Sequence, residues 1–352
     1  MDDLDRALAG GGPLSWAGQQ LKAMGRGALS LRQSRKYAGY ASAGDDILLE
    51  RAIAELKATG VIEYVGEYGA ELTTFLPFVA WLKAEGLLEG RRVVTYVGMR
   101  PYYFFLGDDE FVEKRDKRIS THIKDRQWPT NSTWHATRKP WHVLPDYRAR
   151  YGAQGHSFRR PVLFIQNKLT VEYSWGPINY VPISSLERLL ELTAPHFDVV
   201  YSRPGAAPVG SRYAVDLNDF CQYPDLAVVR RFDHVLELEA HCAETGADYN
   251  QTKLEMMAKS RLFVAVQGGG AHLMAYFGRS LLVMLHKFGL EYPHAYARGP
   301  YKFLATPPPV LLLARRQTHF DRAVELIGSI RPRGDDLWVD RAALATARQL
   351  RF

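Results

Sequence analysis

The chain has 352 residues, 47% of them hydrophobic and 24% charged, enough for two domains with a core each. Its two cysteines, Cys221 and Cys242, exclude a disulfide framework and a thiolate metal cluster and fit a reducing, cytosolic setting. No apolar run reaches about eighteen residues and no charged start leads into an apolar signal core, so neither a membrane span nor secretion is expected.

Residues 1–44 form a basic N-terminal arm. Lys22, Arg26, Arg32, Arg35 and Lys36 stand among Trp16, Leu21, Met24, Leu29 and Leu31, a pattern that suits a membrane surface. Glycines at 18, 25 and 27 break any continuous helix there, so an arm packed on the protein is the alternative. Asp45 to Thr59 is predicted as an amphipathic helix with Ile47, Leu48, Ala52, Ile53 and Leu56 on one stripe.

Residues 45–110 are expected to be an α/β unit. Val61 to Val65 and Val93 to Val97 read as strands, separated by GEYGAEL and a helix from Leu72 to Lys83. Ligands of open parallel sheets collect beyond the carboxyl ends of the strands, where Glu67, Glu71 and Arg100 would lie. Either carboxylate has the chemistry of a general base, although Glu71 would also serve as an acid favoured in a first helical turn.

Most of the charge is concentrated in one place. The net charge is +7, and Phe111 to Arg160 alone holds twelve Lys or Arg against four Asp or Glu, with Trp128, Trp134, Trp141 and four histidines. The stretch has little hydrophobic periodicity and reads as a connector or long acceptor loops. Indole faces and cations suit a sugar or anionic glycan, and the same set could grip single-stranded nucleic acid. A solvated basic face with buried tryptophan anchors is the plainest reading.

Residues 161–330 return to alternating strands and helices. Val162 to Ile165 is a buried strand that delivers Gln166, Asn167 and Lys168 to the sheet edge. A helix from Ser184 to Leu192, a strand from Asp198 to Tyr201 ending at Arg203, and a strand from Ala227 to Val229 follow. Leu281 to Leu285 and Val310 to Leu313 are further strands, and residues 331–352 are expected as a C-terminal helix. The fold class is α/β, with two doubly wound, Rossmann-like halves facing each other across a cleft.

The most informative segment is KLEMMAKSRLFVAVQGGGAHLMAYFG, Lys253 to Gly278, which reads as helix, buried strand, glycine turn and helix. Three glycines permit close backbone approach, and the following helix would aim its unpaired N–H groups at an anion. The same glycines would equally let strand and helix pack tightly.

This segment, GEYGAEL and the paired α/β halves resemble GT-B glycosyltransferases, particularly the bacterial-type enzymes of lipopolysaccharide, capsule and related surface glycans. The resemblance covers most of residues 61–330 as architecture and about forty residues as motif. It implies a nucleotide-sugar donor as substrate, no separate cofactor or metal, and transfer with inversion to a hydroxyl of a glycan or lipid-linked glycan acceptor. It places the donor diphosphate on Gln267, Gly268, Gly269, Gly270, Ala271 and His272, with Gln166, Asn167, Lys168, Arg203 and Lys253 as neighbouring donor contacts. The catalytic base would be Glu71 first and Glu67 second, with Arg100, Trp128, Trp134 and Trp141 on the acceptor side. The two cysteines and the basic arm point to work in the cytoplasm or at the inner face of a membrane, and no nucleic-acid partner is expected. The acidic residue that many relatives use for ribose recognition is not evident, which leaves the donor base open.

Two other classes compete. A dinucleotide oxidoreductase needs G-x-G-x-x-G in an early βαβ unit, and VQGGGAHL lies late with different spacing. A non-catalytic binder of anionic glycan or nucleic acid would use the basic aromatic stretch and have no need of Glu71. Asp108 and Asp109 do not alternate as ligands of one cation do.

Overall fold

The computed structural model describes residues 47–115, 118, 141, 143–170, 177–204, 223–287, 300–333 and 336–339. The basic arm, Trp128, Trp134 and the end of the chain lie outside these residues.

The described chain is α/β with two parallel sheets, as the sequence pattern predicts. Helix α1 (residues 47–59) leads into β1 (Val61–Glu63). One helical run then follows, α2, made of Tyr68–Ala70, a π-helical turn at Glu71–Phe75, and Leu76–Ala84. Strand β2 (Arg92–Tyr96) and strand β3 (Phe111–Arg115) complete a parallel sheet of order β1-β2-β3. Strand β3 is a correction, because its charges make Phe111 to Arg115 look like the start of a connector. Phe111 is buried in the core and the Glu113 carboxylate caps a turn, accepting from the backbone N–H groups of Gly98 and Arg100 at 3.0 and 2.9 Å. The charges therefore belong to an edge strand with one wet face.

Helix α3 (Tyr147–Tyr151), capped by Asp146, leads to the second half. Its elements are β4 (Val162–Gln166), α4 (Ile183–Thr193), β5 (Asp198–Ser202), α5 (Asp225–Val229), β6 (Val235–Glu237), α6 (Leu238–Thr245), α7 (Tyr249–Lys259), β7 (Ser260–Val266), α8 (Gly269–Met274), β8 (Leu281–Leu285), β9 (Val310–Ala314) and α9 (Gln317–Gly328). The expected strand at Ala227 to Val229 is helix α5, which starts just after Pro224 with Asp225 in its first turn. The edge strand is instead β6, three half-buried residues further on. A hairpin of β10 (Ile330–Arg333) and β11 (Asp336–Val339) stands where the C-terminal helix was expected to begin.

All five pairings of the second sheet are parallel, and its order is β6-β5-β4-β7-β8-β9. Numbered within the sheet, that is 3-2-1-4-5-6, the order of a dinucleotide-binding Rossmann sheet. The chain reverses direction of travel between β4 and β7, so their carboxyl ends flank the crevice in which such sheets take ligands.

Side chains alternate strictly across this sheet, as the two-residue repeat of a strand requires. Leu163, Ile165, Val199, Tyr201, Leu262, Val264, Val283 and Leu285 face α4 and α9 in one core. Val162, Phe164, Val200, Phe263, Ala265, Leu282 and Met284 face the other way and join one continuous core with Leu72, Phe75, Phe78, Tyr96 and Tyr103 of the first half. The halves are thus joined by a shared apolar layer. Polar staples add to it: the Tyr276 hydroxyl donates to the Leu72 carbonyl, and Asn250 on α7 donates to the Gly98 carbonyl at 2.7 Å.

Candidate functional site

The glycine turn sits at the switch point, between the carboxyl ends of β4 and β7. Gly268 has φ +139°, a conformation that side-chain-bearing residues rarely adopt. A β-carbon on Gly270 would collide with the Gln166 amide, and one on Gly268 would lie 3.3 Å from the Lys168 ammonium. Gln166 and Lys168, carried by the end of β4, therefore cover the turn that ends β7. Gln166 Oε1 is buried and accepts no hydrogen bond among the described residues. An acceptor and a cation over three glycines suit a polar anionic ligand that brings its own hydroxyls.

The GEYGAEL loop meets this turn from the other half. A β-carbon on Gly269 would lie 2.5 Å from Tyr68 Cδ1 and 3.3 Å from the Gly69 nitrogen, and one on Gly69 would lie 2.9 Å from His272 Cδ2. The two segments singled out in the sequence, some two hundred residues apart, are in contact through their glycines. The tight-packing role of those glycines is thus real, but it joins half to half as well as strand to helix.

Helix α8 has only six residues, and the backbone N–H groups of Ala271 and His272 already donate to the Gly268 carbonyl at 3.0 and 3.3 Å. Ala271 is fully buried. Gln267 is also buried, its N–H donating to the Leu285 carbonyl and so continuing the sheet. His272 is half-buried and edge-on to Tyr301. Burial, aided by the Lys168 charge, pushes its imidazole down to about 4, so it stands neutral at pH 7 and brings no positive charge to the turn.

Several predicted contacts have other partners. Asn167 is fully buried: its Oδ1 accepts from the N–H groups of Lys168 (3.0 Å) and Val181 (2.9 Å), and its Nδ2 donates to Tyr201 and Asp225. Arg203, 1% exposed, lies in an ion pair with Asp225 at 2.8 Å, and Asp225 also accepts from the Tyr201 hydroxyl. Asn167 and Arg203 thus build the wall behind the switch point. Arg100 ties its own loop, donating to the carbonyls of Tyr103 and Leu106 and pairing with Asp108 at 2.9 Å. Trp141 is buried in the core beside the first half.

Glu71 is the sharpest case. The π-helical turn directs its carboxylate inward, where it has no exposure. Oε1 accepts from the hydroxyls of Thr95 and Tyr103, and Oε2 lies 2.8 Å from the Arg118 guanidinium. Arg118 in turn stacks over the rings of Tyr96 (4.2 Å) and Tyr68 (5.1 Å). A carboxylate so enclosed cannot reach an incoming hydroxyl in this conformation. Glu67, at the N-terminal boundary of α2 and one residue before Tyr68, is exposed at the junction of the halves.

Among the described residues of the basic stretch from 111 to 160, some cations are held within the protein and others, Lys114, Arg150 and Arg159, are exposed. Arg148 donates to the carbonyls of Ala258 and Ser260 across the two halves, Arg160 pairs with Asp198 at 2.9 Å, and Arg150 lies over Phe104 and Tyr151. Lys253, 1% exposed, points its ammonium at Tyr249 (4.9 Å), Tyr68 (5.6 Å) and Tyr102 (5.9 Å). Sequence reasoning missed Arg118, Tyr68 and Tyr102. Only Tyr68, which lies inside GEYGAEL, carried a local signal.

No family model matches the chain, and no curated protein matches it. Among solved structures it is similar to a glycosyl transferase family 9 protein from Veillonella parvula, with 12% identity over 82% of this chain and 96% of that one and a TM-score of 0.40. A likeness at that level is too faint to carry a residue role. No described helix is long and apolar enough to cross a membrane.

Proposed function

We propose that the protein is a glycosyltransferase that takes a nucleotide-sugar donor at the switch point of the second sheet. The observation that carries this reading is the convergence of Gln166, Lys168 and Gly268–Gly270 at that point, closed from the other half by Tyr68 and Gly69. The Lys168 ammonium would offset the charge of the departing diphosphate, the backbone of Gly268–Gly270 would line it, and Gln166 Oε1 would accept from a donor hydroxyl. This assignment needs no dipole from α8 and no charge on His272. The acceptor, a glycan or lipid-linked glycan, would enter beside GEYGAEL.

The base role moves from Glu71 to Glu67. Direct attack of an acceptor hydroxyl, deprotonated by Glu67, on the anomeric carbon inverts it as the bond to the diphosphate breaks and the proton passes to the carboxylate. Work without a metal, in the cytoplasm or on an inner membrane face toward surface glycans, is the finer part of the proposal and rests on the sequence. The binding-only reading has less to draw on than the sequence offers, because Arg118, Arg148 and Arg160 are held by a carboxylate, by carbonyls and by Asp198, while Lys114, Arg150 and Arg159 stay exposed.

The test is a binding panel of UDP, GDP, ADP and CDP at low salt, followed by turnover with the matching sugar conjugates. One diphosphate should raise the melting temperature, with the effect lost in Lys168→Met and Gly270→Ala. Glu67→Gln should then lower kcat by about 100-fold to 10,000-fold while leaving nucleotide affinity intact. Failure of every diphosphate to bind would remove the reading.

A further inference from the structure

We propose that Lys253 is a positioning residue that answers negative charge on the glycine turn by seating Tyr68, and with it the first half of the protein, against that turn. The inference rests on the donor reading above.

The geometry is a chain of contacts with Tyr68 at its centre. The Tyr68 ring touches Gly269 on one side, and the Lys253 ammonium lies 5.6 Å from its centroid. Its hydroxyl donates to the Tyr102 hydroxyl at 2.8 Å, which donates to Asn250 Oδ1 at 2.9 Å, one helical turn before Lys253 on α7. Tyr68 and Tyr102 belong to the first half, Tyr249 and Lys253 to the second. An ammonium attracts all three rings, whereas a neutral amine has no such hold on them. The protonation state of one buried side chain therefore sets how firmly the halves are joined beside the turn.

The surroundings place Lys253 near its balance point. Burial pushes it down to about 7; the Glu239 carboxylate on α6 works in the opposite direction, Arg118 works with burial, and Asp248 and Cys242 favour the charged form. Tyr68, Tyr102 and Tyr249 supply the ring faces. A diphosphate on the far side of the contact with Gly269 favours the ammonium, since an anion raises the proton affinity of a nearby amine, here across the Tyr68 ring. Binding above pH 7 should then take up a proton, and the new cation should tighten Tyr68 on the turn. By pH 6 the amine is already about nine-tenths charged and binding should take up little there.

The experiment is isothermal titration with UDP, GDP, ADP and CDP at pH 8 and pH 6, each in two buffers of different ionisation enthalpy, on the full chain and on Lys253→Arg and Lys253→Met. The native chain should take up a measurable fraction of a proton at pH 8 in excess of both variants. Lys253→Arg, always charged, should bind with near-native affinity at pH 6 and more tightly than the native chain at pH 8, and Lys253→Met should bind more weakly than the native chain, chiefly at pH 6. Because either variant alone could misfold, each is checked for a native melting transition, and one folded variant suffices. Equal proton uptake in the native chain and a folded variant, with binding intact and abolished by Lys168→Met, would overturn the role of Lys253 and leave the donor reading standing. No binding of any diphosphate would remove the donor reading and this inference with it.

Discussion

Replacing Glu71 by Gln separates a catalytic from an architectural carboxylate. The amide keeps the volume and an oxygen for the Thr95 and Tyr103 hydroxyls, so packing survives. What disappears is the charge opposite Arg118, whose side chain is 9% exposed against 0% for Glu71. Breaking a buried pair from one side costs about 3–5 kcal/mol, because the remaining ion has neither water nor a counter-charge. Against a total stability of about 5–15 kcal/mol for a typical domain, that is a large fraction. At about 2–4 °C per kcal/mol for a domain of 150–250 residues, the melting temperature should fall by roughly 6–20 °C. Part of that loss should return in the double variant Glu71→Gln with Arg118→Met, which removes the stranded cation as well. The assay is differential scanning calorimetry alongside turnover at a temperature where both proteins are folded. An unchanged melting temperature with turnover abolished would refute the architectural role and return Glu71 to the chemistry.

Asp225→Asn should destabilise by a similar margin of about 3–5 kcal/mol, since it strands Arg203 at 1% exposure, and a urea titration that shows less than about 1 kcal/mol would contradict the buried pair. Stability should also fall in acid. His286 is 3% exposed and burial pushes its imidazole down to about 4, so an unfolded chain, near 6.5, binds the proton first. Its share of stability is therefore intact above about pH 6.5 and is lost as the pH falls toward 4, by about 3 kcal/mol in total, and His286→Gln should flatten that part of the profile.

Much of the second half was legible because its strands are short apolar runs bounded by polar turns, and a parallel sheet covered on both faces demands such runs. The glycine turn was legible because three consecutive glycines end a buried apolar run, although the helix begins at Gly269, earlier than the pattern suggests. The strand order was not, because no local pattern says which strand lies beside β4. Helix α5 was misread because three apolar residues carry no period of their own, and β3 because an edge strand is allowed charges. Glu71 was assigned to chemistry for its place after a strand. The π-helical turn that rotates it inward, and the arginine 47 positions later that meets it there, have no signature in a single sequence.

The sequence offers two explanations for its glycines, ligand approach and close packing, and the structure makes them parts of one arrangement. Gly268 faces Lys168, a cation suited to an anion, and Gly270 faces Gln166, an acceptor suited to a ligand hydroxyl, while Gly269 between them faces Tyr68 of the other half. Successive residues of one turn thus address the ligand side, the partner half, and the ligand side again. A ligand that orders Gly268 and Gly270 must also fix Gly269, and through it Tyr68. On the proposed reading, substrate occupancy and the contact between the two halves would be coupled at a single backbone segment, with Glu67 one residue from the contact. If Glu67 is the base, its place beside the Tyr68–Gly269 contact would tie its working position to that contact, and excluding water there would favour attack by a bound acceptor over hydrolysis.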